Sequence, residues 1–158
     1  MAKFTTYGNK AVVSTVGLGP LGITAGTSNP RRAQLLGFGA TCSDAAAGAI
    51  IQVRIQRQTV AGTGTALPGT GGLVSALDSG DGATFNAIGL QTYTVTPTIT
   101  ATTYLFLQSF NTSYGMMFYP PAGAEIWYPA TASNGIVWDT PIVAAASNVT
   151  INPMFNEY

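Results

Sequence analysis

Histidine is absent from the 158 residues, and charge is scarce: six Lys and Arg against six Asp and Glu, 8% of the chain, summing to a formal net charge of zero. An ordinary soluble domain carries about 25% charged residues. Without histidine there is no Ser-His-Asp or Cys-His machinery, no imidazole metal ligand and no pH switch near neutrality. Six scattered cations supply no positive field for a phosphate backbone, which argues against a nucleic-acid partner. The single cysteine, Cys42, leaves no intrachain disulfide. Its neighbours Thr41, Ser43 and Asp44 do nothing to lower its pKa, so it reads as a buried structural thiol. Disorder is excluded too, because 46% of residues are hydrophobic. What remains is a neutral, nearly uncharged chain whose surface favours association. We therefore read a structural subunit, not an enzyme.

The length suits one domain, able to bury roughly 68–70% of its unfolded surface without a metal or disulfide. The apolar stretch Ala11 to Ala25 follows Lys3 and Lys10, but Gly17, Gly19, Pro20 and Gly22 break it. It falls short of the roughly 20 residues a membrane helix needs, so no membrane is expected. Residues 1–28 are predicted to be an extended N-terminal arm, with one β-domain over 29–158.

Within that domain the pattern has period two. Ile51, Val53 and Ile55 alternate with Gln52, Arg54 and Gln56, and Val149, Ile151, Pro153 and Phe155 repeat the pattern near the C-terminus. Between Thr92 and Phe106 the alternation is interrupted by Pro97, which lacks a ladder donor. That run is therefore an edge strand, or two strands divided there. Shorter candidates are Ala11–Val16, Arg32–Phe38, Met116–Tyr119, Glu125–Tyr128 and Ile136–Asp139. Turn signals fall at Asn29-Pro30, Pro121-Ala122-Gly123 and Ser133-Asn134-Gly135. No helical period is sustained. The fold expected is all-β, a β-sandwich or jelly roll, with a Gly/Thr-rich loop near 59–82 projecting from it.

Candidate chemistry is thin. Asp78-Ser79-Gly80-Asp81-Gly82 fails the spacing of a calcium loop, and the glycines of 62–72 have no Gly-Lys-Ser/Thr to bind phosphate. Of the carboxylates only Glu125 and Asp139 flank aromatic strands, which is weak ground for a glycosidase pair. No catalytic, cofactor-binding or metal-binding residue is assigned. The interface candidates are Arg31, Arg32, Arg54 and Arg57, whose planar forks suit intersubunit ion pairs. To these we add Tyr114, Tyr119, Trp127 and Tyr128, aromatics beside turns that could meet a protein or stack on a sugar. By parity Arg54 points outward, while Arg57 falls on the inward side near its strand end.

Three segments carry a resemblance: Pro30-Arg31-Arg32, Ile55-Gln56-Arg57-Gln58-Thr59-Val60-Ala61-Gly62-Thr63-Gly64-Thr65-Ala66, and Pro129-Ala130-Thr131-Ala132-Ser133-Asn134-Gly135-Ile136. They resemble motifs of small proteins encoded among the structural genes of tailed bacteriophages, over roughly residues 29–138. The resemblance implies a virion β-sandwich. Its expected role is a capsid decoration (cement) protein on the outer capsid surface, with the major capsid protein and copies of itself as partners. A virion or tail-fibre module binding host surface glycans is the alternative, and another coat or tail subunit stays open. The resemblance carries no catalytic residue.

Overall fold

The computed structural model of the chain describes residues 2–6, 8–12, 21–43, 48–67, 75–77, 86–143 and 147–158. Among them run thirteen strands and no helix. They are β1 (Ala2–Thr5), β2 (Gly8–Val12), β3 (Leu21–Thr24), β4 (Ala33–Ser43), β5 (Ile50–Val60), β6 (Thr63–Ala66), β7 (Ser75–Ala76), β8 (Ile88–Val95), β9 (Thr98–Asn111), β10 (Met116–Phe118), β11 (Ile126–Tyr128), β12 (Gly135–Val143) and β13 (Ser147–Glu157). Two antiparallel sheets result. Sheet A has the order β10-β4-β13-β1-β7, with β11 also on β4 and β2 also on β13. Sheet B has the order β6-β8-β3-β12-β5-β9.

The period-two pattern explains why the sheets face each other. Ile51, Val53 and Ile55 of β5, Ile136 and Trp138 of β12, and Val149, Ile151 and Phe155 of β13 are fully buried in one cluster. Trp138 from sheet B meets Phe38 and Phe155 of sheet A, with ring centroids 5.9 and 6.1 Å apart. Phe4 stacks on Phe155 at 5.2 Å. Burying each such side chain contributes about 1.5–3 kcal/mol, and the contacts across the layers hold the sandwich-like arrangement together.

Several expectations are borne out in detail. The run around Pro97 is divided there, with β8 ending at Val95 and β9 starting at Thr98. All three turn signals contain a residue with positive φ, namely Asn29 at 54°, Gly123 at 86° and Ser133 at 65°. Arg57 stands opposite Ile136, whose side chain is in the core, so it shares the inward parity at the end of β5.

Two boundaries are corrected. The described part of residues 1–28 is built into the two sheets and does not form a separate arm: β1 and β2 pair with β13, and β3 lies inside sheet B between β8 and β12. Phe4, Leu21 and Ile23 are core residues. Gly22 reads as a strand breaker, yet it is required within the strand. A Cβ there would sit 1.8 Å from the Tyr93 hydroxyl, which fills the space the missing side chain leaves. The projecting 59–82 loop is also partly strand. Thr59 and Val60 finish β5, Thr63–Ala66 form β6 on β8, and Ser75–Ala76 form β7 on β1. Asp78 and Asp81, and the arm residues 13–20, lie outside the described residues.

Candidate interaction surface

On β4, Phe38 and Ala40 point into the core, so Gly37 and Gly39 face outward. Neighbouring side chains lie across these gaps. Met117 of β10 pairs with Gly39, and its Sδ is 2.9 Å from where a Gly39 Cβ would be. Tyr119, just after β10, covers Gly37 with its Cδ1 2.6 Å from the corresponding point. Both side chains stay largely open, Met117 at 61% and Tyr119 at 59%, and Tyr114 in the preceding turn is 88% exposed. On the other flank, β13 places Thr150, Asn152 and Met154 opposite Thr41, Gly39 and Gly37. From Gly37 to Ser43, from Thr112 to Tyr119 and from Asn148 to Met154 there is no charged residue. The outcome is a neutral, glycine-floored outer face with Met117 and Tyr119 standing on it.

The same edge of β4 continues into β11, where Trp127 pairs with Gln34. Arg32 lays its guanidinium over the Trp127 ring at 4.0 Å, and the ring also meets Tyr158 at 5.3 Å. Arg57 crosses from sheet B and donates an Nη1 hydrogen bond to the Trp127 carbonyl at 2.7 Å. A cleft of about 470 Å³ opens between them, lined by Arg32, Arg57, Trp127, Tyr128, Pro129 and Ala130.

The remaining candidates have internal duties. Arg54 donates from Nε (2.7 Å) and Nη2 to Asp139 Oδ2 on the adjacent β12, and lies 5.3 Å over the Tyr104 ring. Arg31 approaches Glu157 at 3.5 Å. Tyr128 is corrected outright: its register on β11 turns it inward, it is 1% exposed, and it packs edge-on to Phe155 at 6.1 Å. It cannot present a ring to a partner or a sugar. Trp127, one residue earlier, takes the outer face by the same alternation.

Glu157 is a buried carboxylate at the end of the core, 2% exposed. Burial pushes its pKa above the ordinary 4.5, although the Asn86 amide and the Arg31 guanidinium pull the other way. A carboxyl raised in the folded state binds more protons folded than unfolded. Its contribution is therefore present below pH 4.5 and lost as pH rises through the folded value. The unfolding free energy of the parent chain minus that of Glu157→Gln is expected to fall as pH rises from 4.5. Urea titrations from pH 4 to 7 check this, and a difference that stays constant overturns it. Glu125 is exposed, and amides at Gly123 and Glu125 lower its pKa, giving the opposite sign. Cys42 is half-buried against the core, and burial raises its thiol to about 11, as an inert structural thiol requires.

Sequence reasoning missed one polar cluster. Gln56 and Gln58 lie on the outward parity of β5 yet are buried, and Tyr93 is buried beside Gln58 around Gly22. Among the described residues, both Gln58 side-chain atoms, Gln56 Oε1 and the Tyr93 hydroxyl have no hydrogen-bond partner. No local signal could reveal this, because alternation alone puts both glutamines in solvent. Among the described residues no three His, Cys, Asp or Glu gather to hold a metal ion. Compared with family models, curated proteins and solved structures, the chain matches none.

Proposed function

We propose that the chain is a virion structural protein, decorating the outer capsid surface and cementing the major capsid protein together with neighbouring copies of itself. The observation that carries this reading is the outer face of β4 and β10, where Met117 and Tyr119 stand 61% and 59% exposed on an uncharged floor, with Tyr114 88% exposed in the turn before β10. Contiguous apolar side chains without charge mark protein interaction sites, and aromatics and Met are favoured there. Gly37 and Gly39 let the Tyr119 and Met117 side chains lie close against β4. The neutral composition and the phage-like segments support the same reading. A cement protein works by area repeated over many symmetry-related copies, each burying about 1,600 Å² in total, so no single contact needs high affinity.

Quantitative mass spectrometry of particles purified from lysates containing the chain tests the class. Hundreds of copies relative to the major capsid protein support decoration. A dozen or fewer move the chain to a fibre or tail and favour glycan recognition, for which Tyr114 and Tyr119 are the most exposed rings among the described residues. Absence from particles overturns the reading. The surface itself is tested by Met117→Glu/Tyr119→Glu. Two carboxylates on exposed positions leave the fold intact but must be desolvated on docking. Binding to particles stripped of the chain is expected to weaken at least tenfold, and unchanged binding sinks this face as the contact.

A further inference from the structure

Four arginines lie among the described residues, and two are neutralised within the subunit, Arg31 by Glu157 and Arg54 by Asp139. The other two, Arg32 and Arg57, share the cleft of about 470 Å³ beside Trp127, Pro129 and Ala130. No described carboxylate lies within ion-pair distance of either. In a chain with six cations in all, two in one open cleft are a concentrated positive site. We infer that this cleft is a receptor for a side-chain carboxylate carried by an acidic segment of a partner protein.

Three features argue for that occupant. Both guanidinium groups are already oriented, Arg57 by its 2.7 Å bond to the Trp127 carbonyl and Arg32 by stacking at 4.0 Å. Fixing them in advance reduces the entropy lost on binding. Most of their N–H donors stay open, since Arg57 uses one and Arg32 none in a described hydrogen bond. Planar forks of this kind pair carboxylates with charge-assisted bonds. Finally, Arg32 already covers the Trp127 ring, and Tyr158 packs against it, which takes away the flat aromatic face a sugar would stack on. Charge is thus offered to the ligand and the aromatic platform is not. The cleft lies apart from the neutral β4–β10 face, and its chemistry does not rest on where the chain is assembled.

The test is done on the isolated chain by NMR, following the Arg32 and Arg57 Nε–H and Trp127 indole signals. Capped tetraglutamate is expected to shift all three, with affinity falling at least tenfold in Arg32→Gln/Arg57→Gln and falling again in 0.5 M salt. Lys3→Gln, on an exposed side chain elsewhere in sheet A, should bind like the parent. Capped tetraglutamine should produce no shifts. The inference is overturned if tetraglutamine binds equally, if the double variant retains full affinity, or if trigalacturonate binds more tightly than the peptide. The last outcome would make the ligand an acidic sugar. None of these depends on copy number in particles, so this inference and the virion reading fail separately.

Discussion

Replacing Trp138 with alanine is expected to lower the unfolding free energy by about 3–5 kcal/mol, a large share of the 5–15 kcal/mol typical of a domain. The side chain is fully buried on β12 and is one of the few that touches aromatic rings across the layer gap, meeting Phe38 on β4 and Phe155 on β13. Truncation removes both contacts and leaves a cavity between two sheets that are each held by their own ladders. Neither sheet can collapse inward without breaking register. Trp138→Phe separates ring contact from size. It keeps an aromatic ring at the contact and dispenses with an indole N–H for which no acceptor is found among the described residues, so its cost should be nearer 1 kcal/mol. Urea unfolding with an unchanged slope is the measurement. A loss below 1 kcal/mol for the alanine variant would mean that Trp138 does not couple the layers.

The second large effect concerns Arg54. Converting it to methionine keeps the length of the side chain but leaves the Asp139 carboxylate, a buried residue, without its cation. Among the described residues, Asp139 Oδ1 has no hydrogen-bond partner and Oδ2 accepts from Arg54 alone. Removing one member of such a pair costs about 3 kcal/mol or more, because the orphaned charge keeps its desolvation penalty. Replacing both, as Arg54→Met/Asp139→Leu, should restore most of the loss, since a well-packed apolar pair often matches a buried ion pair. If the double variant is as unstable as the single one, the pair is not the source of the effect. The result also bears on the interface reading of Arg54: an arginine held by Asp139 for internal stability is not free to pair outside the chain.

Strand existence was largely legible because alternation and turn chemistry are local. Pro97, Asn29, Gly123 and Ser133 marked their breaks by backbone geometry that any single sequence displays. Pairing partners were not legible, and that is where the reading of residues 1–28 failed. Gly22 looks like a breaker until Tyr93, about seventy positions away, is seen to occupy its missing side-chain space. The candidate site divides the same way. Arg32, Arg57 and Trp127 were each identifiable by type, but only the meeting of β11 with the end of β5 makes them one cleft. Tyr128 and Trp127 were indistinguishable by composition. The register of β11 on β4 decided which went inside. Gly37 and Gly39 gave no sign of forming a floor, because their role depends on Met117 and Tyr119 arriving from another strand.

Strand β13 occupies the middle of sheet A, bonded to β4 on one side and to β1 and β2 on the other. Its partners lie roughly a hundred residues or more before it in the chain, so each pairing closes a long loop. As the ribosome delivers the chain from its N-terminus, β1, β2 and β4 emerge with their shared neighbour still unmade, and sheet A has no centre until residues 147–157 have left the exit tunnel. High contact order of this kind predicts folding on the millisecond-to-second scale, after synthesis of β13. Until then the apolar faces of Phe4 and Phe38 are exposed. A nascent chain stalled before Ser147 would be a sticky, incomplete half-sandwich, and β13 acts as the timer that decides when sheet A closes.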